Sequence, residues 1–565
     1  MKIKRYKFIL VVIALAFLLT ACSPVAFLRP DSAPAVPTSD QTVTEGAITT
    51  SNEGALQNLQ DTFGGMTSTD LRARPEQIAV TVTSSPQTSL FVTFTTICPT
   101  VIQAGIMVAP RGGGQVLRFG AALSHIHTVP AESTHSHLQS FDPAVATQTV
   151  GGLTKTYWVV ELNFLTPDTR YDYVAVSVTE DEEHFSRFRT FRTIPAKNTT
   201  GEFQFIYMAD AQIESGSNEN NGWAFTTTTH RAFETAPDAS FVYFAGDLTN
   251  TCRIDQWEGF FNQPMRNAEG VNRRLYNDQF TNRVSDFTIA ATRGNHDYNE
   301  FMGHLTFENL SNNNLHVYSF SAGPMRFIVL NNAINGTFTT RQIEFLHAEV
   351  ACAKAAGQWT AVAFHKGLYS GGSHVTGAEA ISIRRRYSAM FAELDVDMVL
   401  NGHDHAFSRG QVRADGFPAG WIDGQEWAPR HAKLGERTYE DDNQPNAPLY
   451  FVLTPSGAIR HYNTREGYTV GSNDPKAPDY WFLDRMSARA EGHPQNPYGP
   501  ETGPPLIPEG GSQIYNVKTF PTFSVVTVNE NSIRFQTYMY QYVAAYFQVG
   551  ELFLFDDFTL HRNRA

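Results

Sequence analysis

Polar clusters suited to holding metal ions recur along this chain, and each follows a short apolar run. After Phe203–Met208 comes Ala209-Asp210-Ala211-Gln212, and after Phe241–Phe244 comes Ala245-Gly246-Asp247-Leu248-Thr249-Asn250. After Phe287–Ala291 comes Thr292-Arg293-Gly294-Asn295-His296-Asp297-Tyr298. After Trp359–Phe364 comes His365-Lys366-Gly367, and after Val396–Leu400 comes Asn401-Gly402-His403-Asp404-His405. Carboxylates, an amide oxygen and imidazoles form a donor set for hard or borderline divalent cations such as manganese, iron and zinc. Glycines beside the ligands, at Gly246, Gly294 and Gly402, let the backbone turn sharply and leave room for a substrate.

Residues so far apart act together only if a scaffold brings the strand ends to one edge. Apolar runs alternating with helical stretches from Phe203 onward predict an α/β layered domain, where loops at the carboxyl ends of strands converge on a ligand. Apolar spacing predicts a helix over Thr340–Ala356, with Ile343, Leu346, Val350 and Ala353 on one face and Gly357 at the C-cap. A second helix is predicted over Ala378–Leu394, with Ile381, Tyr387, Met390, Phe391 and Leu394 available for its buried face. Tyr450–Leu453 and the hairpin Phe523–Val528 with Ile533–Tyr538 complete the sheets. Ahead of this domain the pattern is strand after strand: Ile78–Thr83, Leu90–Thr95, Thr156–Leu162, Tyr171–Val178 and Phe185–Arg192. Turn signals at Gly112-Gly113-Gly114 and Thr166-Pro167-Asp168, without convincing helices, predict a small all-β sandwich.

With 42% hydrophobic and 18% charged residues, the 565-residue chain is globular, which excludes a disordered chain, a collagen-like fibre and a long coiled coil. Four cysteines exclude a disulfide-dense scaffold, and a net charge of −13 disfavours a nucleic-acid coat. The N-terminus has a basic region (Lys2, Lys4, Arg5, Lys7), an apolar stretch of 12 residues (Phe8–Leu19), and then Leu19-Thr20-Ala21-Cys22. This resembles a bacterial lipobox, which implies cleavage before Cys22, lipidation of that cysteine and a chain exported to a membrane surface, the outer membrane where one exists. Removal of residues 1–21 leaves a charge near −17. The domain reading is therefore signal peptide 1–21, tether 22–72, sandwich 73–197 and catalytic domain 201–562. A Gly-, Pro-, Asp-, Asn- and Trp-rich insertion over about 410–512 is expected to cover the face that carries the catalytic loops. Of the mature cysteines Cys98, Cys252 and Cys352, one disulfide with one free thiol, or three buried thiols, are both open.

The order Asp, Gly-Asp, Gly-Asn-His-Asp, His, Gly-His-x-His resembles the calcineurin-like metallophosphoesterase superfamily, and the preceding sandwich is similar to that of the purple acid phosphatase branch. The run Leu165, Pro167, Thr169, Tyr171, Tyr173 resembles a fibronectin type III module. The resemblance implies a four-layer α/β/β/α domain holding two divalent ions (iron, manganese or zinc) and hydrolysing small-molecule phosphate esters. In that reading a metal-bridged hydroxide attacks phosphorus in line. The roles it implies are Asp247 bridging the two metals, Asp210 and His405 on the first, and Asn295, His365 and His403 on the second. His296 would face the scissile phosphate, oriented by Asp297, and His374, nine residues after His365, would be a further substrate-facing histidine. Gln212 stands where many relatives carry a histidine; it is either a metal ligand or a solvated amide. Asn250 stands where the purple enzymes carry a tyrosine, so no tyrosinate–iron charge-transfer band is expected.

Other groups have plainer explanations. His125, His127, His135 and His137 could chelate zinc but fit a polar surface; Arg384-Arg385-Arg386 could attract phosphate but fits a solvated helix face. Trp421, Trp427 and Trp481 could wall a substrate ring or simply pack. A phosphomonoesterase is weakly preferred over a phosphodiesterase. The alternatives are a surface binding lipoprotein with a degenerate phosphoesterase domain, or a nuclease, for which the acidic charge is unfavourable.

Overall fold

The computed structural model describes residues 73–96, 100–128, 154–197, 201–214, 220–262, 282–297, 304–305, 307, 316–370, 374, 377–416, 439–442, 445–457, 518–543 and 548–562. Residues 1–72 with Cys22, and Cys98, His135, His137, Tyr298, Trp421, Trp427, Trp481 and most of the 410–512 insertion, lie outside them. Among the described residues no helix is long and apolar enough to cross a membrane. Cys252 is buried and Cys352 half-buried.

The N-terminal strands are β1 (Glu76–Val82), β2 (Leu90–Thr96), β3 (Gln103–Pro110), β4 (Leu117–Gly120), β5 (Ala122–Thr128), β6 (Thr154–Leu162), β7 (Arg170–Val178), β8 (Glu183–Phe185) and β9 (Arg189–Arg192). One layer runs β1-β2-β6-β5; the other runs β4-β3-β7-β8, with β9 also on β7. The period-2 pattern sends Val80, Val92, Phe94, Ile106, Val108, Val160 and Tyr173 into the core between them. At the predicted turn, Asp168 has φ 51° and the Thr166 amide donates to the Tyr171 hydroxyl at 2.8 Å. The run expected as one strand, Phe185–Arg192, is two. At the break the Ser186 amide still donates to the Ala175 carbonyl (2.9 Å), but its hydroxyl, not its carbonyl, accepts the Ala175 amide (2.9 Å) while donating to the Arg187 carbonyl (2.9 Å).

The second part contains β10 (Phe203–Met208), α1 (Asn220–Thr235), β11 (Phe241–Phe244), α2 (Ile254–Asn262), β12 (Thr288–Ala291), β13 (Tyr318–Ala322), β14 (Met325–Val329), α3 (Thr340–Ala355), β15 (Trp359–Lys366), α4 (Ala378–Glu393) and β16 (Met398–Gly402). It ends with β17 (Ser408–Gln411), β18 (Tyr439–Asp442), β19 (Leu449–Val452), β20 (Lys518–Thr519), β21 (Thr522–Val528), β22 (Ser532–Val543) and β23 (Gln548–His561). One sheet has the order β18-β23-β22-β21-β10-β11-β12, and the other has β13-β14-β15-β16-β19-β17. Within them β10, β11 and β12 are mutually parallel, as are β14, β15, β16 and β19.

The sheets face each other across an aromatic core. Phe205 and Phe241 stack at 4.9 Å, and Phe327 of the opposite sheet meets both edge-on at 5.9 and 5.7 Å. On the other side of β11, Phe244 packs on Phe225 of α1 and Phe260 of α2. Leu346 and Val350 of α3, with Tyr387 and Phe391 of α4, cover the outer face of the second sheet. The result is the four-layer α/β/β/α arrangement with a sandwich before it.

Helix α3 begins at Thr339, whose hydroxyl accepts the Gln342 amide at 3.3 Å, and Gly357 beyond its end has φ +66°. Helix α4 buries Tyr387 and Phe391 as expected, with Met390 and Leu394 packed against the core, but at its start Ala380 and Ile383 are buried and Ile381 is only half-buried. Arg384 is buried too, in contrast to the solvated face expected for the arginine run. Its guanidinium donates to the Leu368 carbonyl at 2.8 Å and lies over the Tyr369 ring.

The sandwich and the layered domain share one sheet, because β1 pairs parallel to β12 with Val80 opposite Thr288 and Thr81 opposite Ile289. The Tyr173 hydroxyl donates to the Ser285 carbonyl (2.6 Å), and the Ser285 and Thr288 hydroxyls donate to the Ile78 (2.7 Å) and Arg192 (2.6 Å) carbonyls.

Candidate metal centre

The expected ligand residues follow the carboxyl ends of parallel strands, except His365, which is the penultimate residue of β15. Asp210 follows β10 with φ 47°, Gln212 has φ 39°, Asp247 follows β11 with φ 52° and His403 follows β16 with φ 70°. Non-glycine residues rarely occupy this left-handed region, and holding one there costs about 1–3 kcal/mol. The loops are laced together to hold it: the Asp210 amide donates to the Gly246 carbonyl (3.1 Å) and the Gln212 amide to the Asp247 carbonyl (2.8 Å).

Glycine supplies the remaining space. A Cβ on Gly294 would collide with the Asp247 carboxylate, and one on Gly246 (φ +91°) would lie 2.7 Å from His365 Nδ1. The room expected for a substrate at these glycines is taken up by neighbouring ligand residues.

Asp247, His365 and His403 bring one ligand atom each to within 4.8 Å of one another. His365 Nδ1 lies 2.6 Å from the Ala245 carbonyl oxygen, which can only accept, so that nitrogen carries the proton. The other ring nitrogen, Nε2, faces Asp247 Oδ2 at 3.0 Å. Two electron-rich atoms at that distance need a proton or a metal cation between them. Both residues are fully buried. Burial pushes the Asp247 carboxyl up, but the charge of His365 and its hydrogen bond outweigh this and hold it well below the usual carboxylate range. Burial likewise disfavours charge on His365, and Asp247 outweighs it, so the imidazole is raised. His403 is shifted down, by burial first and then by His365. Asn295 Oδ1 is sealed from solvent and accepts no hydrogen bond from the described residues. An amide oxygen left without a donor beside a buried carboxylate–imidazole pair fits a metal ligand.

The first-metal residues gather on the same edge. His405 Nε2 lies 3.6 Å from Asp210 Oδ1, and the His403 amide donates to both Asp210 oxygens at 3.0 Å. Gln212 is buried, and its Nε2 donates to Asp247 Oδ2 at 3.4 Å. In this orientation the side chain offers a proton where a ligand would offer a lone pair.

His296 is at the site: its amide donates to Asp247 Oδ1 at 2.8 Å, and Nδ1 lies 2.7 Å from the Asn250 carbonyl. That carbonyl, and not Asp297, orients the imidazole. The Asp297 carboxylate instead accepts the amides of Gly294 (2.9 Å), Leu248 (2.9 Å) and Thr249 (3.4 Å), clamping the β11 and β12 loops together. Neighbours in the Asn295-His296-Asp297 turn point in different directions, so adjacency in sequence misassigned the contact. Burial and the Asp247 charge push the Asp297 carboxyl up to about 7. His374 has its ring stacked on His403 at 4.5 Å with 24° between planes. Sequence reasoning passed over Asp404, between His403 and His405, because nothing in its type or spacing separates it from a solvated loop residue.

Residues 204–407 match the calcineurin-like phosphoesterase family. This segment is a calcineurin-like phosphoesterase domain. The chain is similar to purple acid phosphatase 15 of Arabidopsis thaliana, 24% identical over 448 residues that cover 73% of this chain and 75% of the relative. It is also similar to an uncharacterised protein of Mycobacterium tuberculosis, 30% identical over 105 residues, covering 16% of this chain and 20% of that one. The fold is similar to that of a purple acid phosphatase from yellow lupin (Lupinus luteus) seeds: TM-score 0.53, 13% identity, 87% of this chain and 75% of that one covered. The phosphoesterase domain is thus purple acid phosphatase-like, with the sandwich sheet in front of it.

Proposed function

We propose that this chain is a dinuclear metal-dependent hydrolase of small-molecule phosphate esters, with monoesters preferred over diesters. The observation that carries it is the convergence of ligand atoms of Asp247, His365 and His403 to within 4.8 Å of one another, with His365 Nε2 3.0 Å from Asp247 Oδ2. Asp247, Asn295, His365 and His403 would hold one ion, and Asp210, His405 and Asp247 the other. Iron, manganese or zinc, once bound there, would polarise the phosphoryl oxygens and supply a nucleophilic water near neutral pH.

The chain's own residues do the rest. The Asn250 carbonyl fixes the proton of His296 on Nδ1, which leaves Nε2 to accept a proton and then donate one to a phosphoryl or leaving-group oxygen. Asp297 acts through the backbone, setting the spacing of the Asp247 and Asn295 loops. The fixed dipoles and charges at the strand ends give the positioning and electrostatics on which phosphoryl transfer depends.

The Gln212 amide proton pointing at Asp247 favours one second reading, a binding lipoprotein whose first-metal site is degenerate. One experiment separates the two: metal content and turnover of a chromogenic phosphate monoester and its matching diester, for the wild type and Asp247→Ala. About two ions per chain, turnover abolished by the substitution and a higher kcat/KM on the monoester are expected. The iron-loaded protein is expected to lack a tyrosinate charge-transfer band. One ion or none, with no turnover after metal is supplied, would leave the binding reading. The proposal includes export and lipid anchoring through Cys22; acyl labelling that survives Cys22→Ser would remove that part.

A further inference from the structure

Asp404 is buried between two ligand histidines, and no side chain of the described residues hydrogen-bonds to its Oδ2, which is sealed from solvent. Its Oδ1 accepts the backbone amide of His374 at 3.0 Å and lies 3.5 Å from His374 Nδ1. The His374 side chain is 45% exposed, yet its ring lies nearly parallel to that of His403, which itself meets His365 edge-on at 5.0 Å. An exposed imidazole preceded in sequence by Gly371-Gly372-Ser373 has no intrinsic reason to sit over a metal ligand. The buried carboxylate supplies one, holding the main-chain amide by a hydrogen bond with the ring nitrogen 3.5 Å away.

We propose that Asp404 is a positioning residue that holds His374 over the metal centre, so that the imidazole contacts the phosphoryl group of a bound ester or of product phosphate. The proposal rests on the phosphoesterase reading above. With Nδ1 on the Asp404 side, Nε2 is the atom the proposal assigns to a phosphoryl oxygen. Asp404 acts through His374 and touches neither substrate nor metal.

The test is a double-mutant cycle on the metal-loaded protein, using Asp404→Ala, His374→Ala and the pair. Its readouts are the affinity for inorganic phosphate by calorimetry, kcat and KM on a phosphate monoester, and metal content. Each single substitution is expected to weaken phosphate binding about tenfold and to lower kcat/KM about ten- to a hundredfold. The double variant should fall no further than the singles, because both remove one interaction. Two ions per chain should remain throughout. Asp404→Asn keeps an acceptor oxygen for the His374 amide and is expected to stay within about threefold of wild type, so a folding defect in Asp404→Ala does not stop the test.

Additive losses in the double variant would overturn the proposal. So would loss of metal in Asp404→Ala and Asp404→Asn, since Asp404 would then be supporting His403 or His405. If the wild type binds phosphate but turns nothing over, the hydrolase reading fails, and the cycle on phosphate affinity decides the positioning role by itself. A metal-loaded wild type that binds no phosphate would overturn both.

Discussion

At the scale of the residue, the centre is built from side chains that could not sit so close without their glycines and their left-handed backbone. Gly294 shows this most directly, since an added methyl would occupy the position of the Asp247 carboxylate. Gly294→Ala should displace the Asp247 carboxylate, reduce bound metal below one ion per chain and cut turnover at least about a hundredfold, while overpacking costs about 1–3 kcal/mol of stability. Metal analysis beside an unfolding curve checks it; full metal occupancy with normal turnover would show that the β12 loop yields instead. Asp297 belongs to the same scale. Its carboxylate accepts amides from both loops, so its influence on the chemistry passes through backbone geometry.

At the scale of the element, the strands converge because a dry aromatic layer holds the two sheets together. Phe327 is fully buried there, edge-on to Phe205, Phe241 and Tyr243 and stacked on Phe320. Phe327→Ala should destabilise the fold by about 3–5 kcal/mol, through lost transfer energy and the cavity left behind. Denaturant unfolding reads this directly, and a loss under about 1 kcal/mol would mean that the layer collapses freely around the gap. The strands, both predicted helices and the C-terminal hairpin were legible in sequence because their signals are local: a period of 2 or 3.6, a capping glycine, a turn. The buried face of α4 was legible at Tyr387 and Phe391 but not at its N-terminal end. There the buried Arg384 lies inward where an apolar pattern favours Ile381, and the Leu368 carbonyl and the Tyr369 ring help to make that burial tolerable.

At the scale of the molecule, the sandwich is hydrogen-bonded edge to edge with the phosphoesterase domain through β1 and β12, and is not a spacer hung beside it. Unfolding of residues 73–562 should therefore be one cooperative transition. Tyr173→Phe, which leaves the buried Ser285 carbonyl without its donor, should lower stability by about 1–3 kcal/mol with metal content unchanged. Calorimetry showing two separated transitions, with only the first moved by the substitution, would mean that the shared sheet does not couple them. This pairing has no sequence signature, because a parallel pair joining residues about two hundred apart leaves only two apolar runs, each explained by its own neighbourhood.

The sequence by itself determined the donor set, its order along the chain and its place at strand ends, since each cluster sits within a few residues of the strand and the glycine that present it. Tertiary structure alone decided which donors share a point, that the Asn250 carbonyl and not Asp297 orients His296, and that Asp404 reaches His374. The physical reason is that side-chain direction at a strand end depends on φ and on hydrogen bonds from the adjacent strand's loop. Those are properties of the folded edge, which neither residue type nor spacing encodes.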